Sequence, residues 1–184
     1  MKLFSSTSRH LVTVRDRDAD VLHTRAARVR DAQSDETRAI VADMIRIMRA
    51  ERGIGLAAPQ IGVSRRIITF DMGADGVREH GPLVCINPVI VRAARTLVMT
   101  EEGCLSIPGT FIPIVRAAQV TVRYEDTDGN TQTVTVRDLP AVAFQHEIDH
   151  LDGVLMTQRY AQQSALRAQF EESSDDNTIS HRIS

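Results

Sequence analysis

The sequence predicts an α+β fold whose sheet is mostly antiparallel. Three observations predict it: an amphipathic helix early in the chain, a series of short β-rich runs ending in a hairpin, and helical segments after them. No internal repeat or long linker interrupts that order. The 184 residues suit one domain with a substantial core, and 42% hydrophobic and 25% charged residues are ordinary globular values. A formal charge of -2 offers no field to draw nucleic acid or acidic membranes. Lys2 is the only lysine, and we have no physical account of that skew toward arginine.

In "SDETRAIVADMIRIMRAERG", Ser34 is a candidate N-cap, and Ile40, Val41, Met44, Ile45 and Met48 form a stripe at spacings of three and four. Gly53 stands where a glycine stop is expected. The small, apolar "GIGLAAPQIG" follows, then "RRIITFD" and "PLVCINP" as short strands. In "QVTVRYEDTDGNTQTVTVRD", two alternating runs flank Asp128 and Gly129, a favoured tight-turn pair. Asp138 is expected to cap the next helix, with Pro140 in its first turn. A further helix is expected over about 158–170. Residues 1–170 are expected to form the domain, and 171–184 a polar, disordered tail.

Cys85 and Cys104 are too few for a disulfide framework, which predicts free or metal-bound thiols in a reducing interior. No apolar run approaches the ~20 residues of a membrane helix. The N-terminus lacks an apolar core for secretion, and Asp16, Asp18 and Asp20 argue against a transit peptide. A cytoplasmic protein is the simplest reading.

The chemistry concentrates in "QHEIDHLDG". On a helix, His146 and His150 share one face and can converge on one ion, while Glu147 lies about 100° around from His146. The bland alternative is a pair of satisfied histidines on a buried helix; Glu147 at the required offset favours the metal. A third ligand is wanted. His10, His23, His80 and His181 have no partner at ligand spacing and read as surface residues. The best candidate is Cys104 in "TEEGCLSIPG", beside Gly103, which allows a close approach of backbone. Cys85 reads as a small apolar strand residue.

"GIGLAAPQIG", "EEGCLS" and "QHEIDHLDG" resemble the three signature motifs of the peptide deformylases, in the right order and at fitting separations. The likeness extends from the first helix to about Tyr160. It implies a compact single domain with antiparallel strands packed around a central metal-binding helix. It also implies removal of the formyl group from the N-terminal formyl-methionine of nascent polypeptides, with release of formate. Cys104, His146 and His150 would hold one divalent metal ion, ferrous iron physiologically, with Zn2+, Ni2+ or Co2+ able to replace it. A metal-activated water would attack the formyl carbon with Glu147 as general base and then acid. Gln60 and the Leu105 N–H would stabilise the charge on oxygen.

The resemblance further implies that the peptide lies along a backbone edge at Ile54 and Gly55. Gly103 and an apolar methionine pocket of Leu139, Val142, Ala143 and Ile54 would complete the binding site. The family acts as a monomer on chains leaving the ribosome. Some members carry a peptide-contacting arginine after the second motif, where Gly109, Thr110 and Phe111 stand here. Glu102 and Arg116 are expected to pair and brace the Cys104 loop. Two rivals remain: a metalloprotease, and a structural Cys₂His₂ domain that also uses Cys85.

Overall fold

The computed structural model describes residues 9–71 and 81–174. His80, His181, the first eight residues and positions 175–184 of the expected tail lie outside the described residues. The fold is α+β, as expected. Helix α1 (Asp35–Ala50) leads into strands β1 (Gly55–Ala57), β2 (Ile67–Phe70) and β3 (Leu83–Ala93). Strands β4 (Leu97–Cys104), β5 (Ile107–Ala117), β6 (Gln119–Glu125) and β7 (Thr131–Arg137) follow. Helices α2 (Asp138–Leu151), α3 (Met156–Gln162) and α4 (Ser164–Ser174) close the described chain. Five strands form a sheet in the order β1-β2-β3-β6-β7, and β4 and β5 form a separate ribbon; all these pairings are antiparallel.

Helix α2 is the centre of this arrangement. From Ala141 to Leu151 every residue except Gln145 is buried, the pattern of a helix surrounded by protein. Phe144 packs its ring 4.4 Å from Phe70 of β2, centroid to centroid, inside a cluster with Ile68, Cys85, Val122 and Leu151. Helix α1 covers β1–β3 through a second cluster that includes Met44, Met48, Leu56 and Ile86. The methionines of α1 are therefore core.

Four local expectations change. Helix α1 has its cap at Ser34, which accepts from the Thr37 N–H at 3.2 Å. The left-handed residue at its other end, however, is Arg52 (φ 58°), not Gly53. The N–H of Gly53 reaches the Met48 carbonyl at 2.9 Å and that of Arg52 reaches Arg49, the double closure of a Schellman motif. Gly53 is small for another reason: a Cβ there would stand 2.8 Å from Leu105.

Asp138 does not cap α2. It is the helix's first residue with φ 54°, Arg137 holds the cap position without a side-chain bond, and the Asp138 N–H is tied to Ala118. Nor do Asp128 and Gly129 make a two-residue turn. The Gly129 N–H bonds back to the Asp126 carbonyl, Asp126 pairs with Asn130, and Gly129 alone takes positive φ (78°). That is a three-residue loop with a bulge glycine. Finally, the helix expected at 158–170 is two helices, broken at Gln163, whose side-chain amide accepts from the Val115 N–H and donates to its carbonyl.

Gly153 ends α2 with φ 73°, and a Cβ there would sit 2.8 Å from the His23 carbonyl carbon and oxygen. Gly153→Ala is expected to cost at least the ~1–2 kcal/mol of left-handed strain, read as a lower urea midpoint at unchanged slope.

Candidate metal centre and cleft

Strand β4 delivers Cys104 and helix α2 delivers His146 and His150, so that their ligand atoms lie within 4.8 Å of one another. The Cys104 Sγ is 3.3 Å from the His150 Nε2. One thiolate and two imidazoles at this separation can share an ion at bond lengths of ~2.0–2.3 Å. Burial alone would raise the Cys104 thiol, but His150 and His146 beside it outweigh that and hold it well below the usual thiol range. The donor set therefore suits a borderline divalent cation. Cys85 is elsewhere, fully buried in the β3 core cluster, where desolvation pushes its thiol upward. It does not belong to the cluster, which removes the observation that a Cys₂His₂ site would need. His10 and His23 are exposed.

Glu102 and Arg116 pair as expected, and the pairing goes further than a loop brace. The Arg116 Nε and Nη2 donate to the two Glu102 oxygens at 2.7 and 2.9 Å. The second of these oxygens lies 2.8 Å from the His146 Nδ1. A carboxylate on the outer ring nitrogen fixes the imidazole's orientation and turns Nε2 toward the ligand cluster. Burial would raise the Glu102 carboxyl, but Arg116 and His146 more than offset it and hold it at about 2. The third guanidinium nitrogen of Arg116 donates to Asp149 at 2.5 Å, and Arg159 donates to the same carboxylate. Neither Asp149 nor Arg159 stood out in the sequence. Asp149 shared a motif with the histidines, but Arg159 carried no signal.

Glu147 follows His146 around the helix and lies against β1. A Cβ on Gly55 would be 2.7 Å from its Oε1 and 3.1 Å from the Phe70 ring, so a side chain there would displace the carboxylate from this position. The Glu147 Oε2 is buried without a hydrogen-bond partner among the described residues. Burial is the first cause that raises this carboxyl, and the nearby histidines only partly offset it.

Gln60 stands in a 3-10 turn, Ala58–Ile61, just after β1. Its Oε1 accepts from the Ala57 N–H at 2.8 Å, which aims Nε2 at the Ser106 Oγ (3.3 Å) and the Cys104 Sγ (3.7 Å). The N-terminal segment straps these two motifs together. Its Val12 N–H bonds the Gln60 carbonyl at 2.8 Å and its Val14 N–H bonds that of Ser106 at 3.0 Å.

A cleft of about 640 Å³ opens over Cys104, His146 and Glu147, with Gln60, Gly103 and Leu105 on its lining. Ile54, Gly55, Leu139, Val142 and Ala143 line it as well, so the expected binding residues come together. The expected backbone edge narrows to one residue. The Ile54 carbonyl is already taken by the Asp71 N–H at 2.9 Å, across the Gly55–Phe70 pair. In that antiparallel register the N–H and C=O of Gly55 point away from β2, along the sheet's outer edge. Phe111, 51% exposed, covers Gly103 and supplies an apolar wall to the cleft.

Residues 9–165 match the family described as polypeptide deformylase. The peptide deformylase of Thermosynechococcus vestitus is 44% identical over 138 residues, 75% of this chain and 73% of that protein. The crystal structure of the Thermotoga maritima peptide deformylase superposes with a TM-score of 0.74 at 35% identity, covering 82% of this chain and 96% of that one. A peptide deformylase from Synechococcus elongatus, solved in complex with actinonin, gives a TM-score of 0.74 at 35% identity over 100% of this chain and 94% of its own.

Arg116→Ala leaves a buried Glu102 without its cation and is expected to destabilise the protein by ~3–5 kcal/mol. The Glu102 carboxyl is depressed from 4.5 to about 2. Its contribution is thus complete above the ordinary carboxyl range and is withdrawn as pH falls toward the lower value. Acid unfolding of the variant should lack that component, which denaturant titrations at stepped pH will show.

Proposed function

Since the chain belongs to the polypeptide deformylase family, we propose that it removes the formyl group from N-terminal formyl-methionine of nascent polypeptides, releasing formate, at this cleft. The observation that carries the reading is the meeting of Cys104, His146 and His150 under a cleft that Glu147 enters. A divalent ion on those three side chains, ferrous iron physiologically with Zn2+, Ni2+ or Co2+ as substitutes, would acidify a water and so supply the nucleophile.

Glu147 performs the proton transfers. Its unpartnered oxygen receives the proton lost by the attacking water, and the raised carboxyl then returns that proton to the departing amine as the C–N bond breaks. The amine leaves as the free N-terminus of the peptide, and the formyl carbon leaves as formate. The Gln60 Nε2, aimed into the site by its partner atom's bond to Ala57, donates to the formyl oxygen as negative charge grows there. The Leu105 N–H is assigned the second donor role.

The peptide lies in extended form against the N–H and C=O of Gly55, with Gly103 and the Phe111 ring that covers it on the opposite wall. Leu139, Val142 and Ala143 on α2, with Ile54 facing them, bury the methionine side chain. Among the described residues no helix is long and apolar enough to cross a membrane. The reading carries with it a monomer in the cytoplasm, in transient contact with the ribosome.

Glu147→Ala should keep its metal and lose ~10²–10⁴ of the rate of formate release from a formyl-methionyl peptide. Gln60→Ala should lose ~10²–10³. Both are measured anaerobically beside metal analysis. Cleavage of an internal peptide bond without formate release would replace this reading with a protease.

A further inference from the structure

We propose that Arg159 is a positioning residue for the metal centre: it touches none of the three ligands and acts on both histidines through Asp149. The inference rests on the reading of Cys104, His146 and His150 as ligands. The geometry is a chain of alternating charges. His146 and Arg116 flank Glu102, and Arg116 and Arg159 flank Asp149. The side chains of Glu102 and Arg116 are 3% and 5% exposed, that of Asp149 is 13% and that of Arg159 is 30%. Arg159 is thus the one charged member of the chain with substantial access to solvent. It reaches solvent in a second cleft, of about 590 Å³, on the face of α2 turned away from Glu147.

Two routes lead from Arg159 to the ligands. The first runs through Arg116, which spends two N–H groups on Glu102 and a third on Asp149. Its position is a balance between two carboxylates. With Arg159 gone, Arg116 is the one guanidinium left on Asp149. The guanidinium is then drawn toward Asp149, its fork on Glu102 loosens, and the carboxylate oxygen that orients the His146 Nδ1 loosens with it. The second route is the backbone. Asp149 directly precedes His150 in the last turn of α2, so its clamp to α3 also fixes the turn that presents this ligand.

Arg159 is not needed to hold α3 in place. Leu155 and Met156 are buried in a core cluster, the Leu155 N–H bonds the Gln158 side chain at 2.8 Å, and Gln163 pairs with both backbone groups of Val115. Truncation at 159 therefore reaches the metal without first unfolding the helix. Arg28 lines the same second cleft but pairs with Glu125, outside the chain of charges, and is the matched control.

The test is the rate at which zinc-loaded protein surrenders its ion to an excess of a chromogenic chelator, together with the visible spectrum of the cobalt form. Arg159→Ala is expected to release zinc about tenfold faster and to shift the cobalt bands. Arg159→Lys should recover part of the loss, and Arg28→Ala should match the parent. In an Asp149→Asn background, Arg159→Ala should add nothing further, because the arginine then has no carboxylate to act through. Parent-like release and an unshifted spectrum in Arg159→Ala, or an undiminished effect of that change with Asn at 149, overturns the proposal. If instead the parent keeps its zinc when Cys104 is replaced by Ser and both histidines by Ala, the ligand assignment itself fails, and the inference about Arg159 falls with it.

Discussion

A carboxylate and a guanidinium buried side by side hold the rest of this structure in register. Glu102 belongs to the β4–β5 ribbon and His146 to the central helix, and the bond between them joins the two elements at the ligand cluster. Such a bond is affordable only because Arg116 neutralises the same carboxylate with two donors, since an unpaired buried charge costs several kcal/mol. Cys104 lies two residues along β4 from Glu102. Fixing Glu102 against α2 therefore brings the thiol to the two imidazoles.

The sheet contributes the opposite wall by a similar economy of backbone groups. At the start of β1, alternate residues serve alternate sides: the carbonyl of Ile54, just before the strand, bonds Asp71, and Gly55 faces outward. Ala57, on the same outward side, spends its N–H on the Gln60 oxygen, which leaves the amide nitrogen of Gln60 directed at Ser106 and Cys104. At Gly55 the Glu147 carboxylate occupies the space a side chain would take, so the first motif is small there for a reason of packing.

The Cys104, His146 and His150 cluster was legible from the residues themselves, whereas the cleft residues Leu139, Val142, Ala143 and Ile54 came only from the resemblance of the motifs to a known family. The i, i+4 histidines needed only helical geometry, and Cys104 needed only a glycine-flanked thiol within reach. Glycine at 53, Asp at 138 and the Asp128 and Gly129 pair each carry a strong intrinsic preference; long-range contacts overrode the first two, and a neighbouring side chain overrode the third. Arg52 accepts the left-handed conformation so that Gly53 can pass under Leu105, and Asp138 gives its N–H to Ala118. The third case is decided by Asp126, whose carboxylate accepts from the N–H groups of Asp128 and Asn130 and closes a longer loop. Arg159 was not legible, because nothing in a helical stretch says which buried carboxylate its arginine will meet.

The two faces of α2 separate two kinds of demand on one helix. The face with Val142, Ala143, His146 and Glu147 lines the cleft, and it leaves the Glu147 Oε2 without a hydrogen-bond partner among the described residues. Unpartnered polar atoms at that depth cost stability. The face with Gln145 and Asp149 is saturated instead: Gln145 bonds the Ala117 backbone through both amide atoms, and Asp149 takes two guanidinium groups. Bonding on the rear face, with the His146–Glu102 bond, holds the helix beside the unpartnered Glu147 oxygen. The Glu147 Oε2 then stays without a hydrogen-bond partner among the described residues, and the carboxyl's affinity for a proton is raised because the nearby histidines only partly offset desolvation.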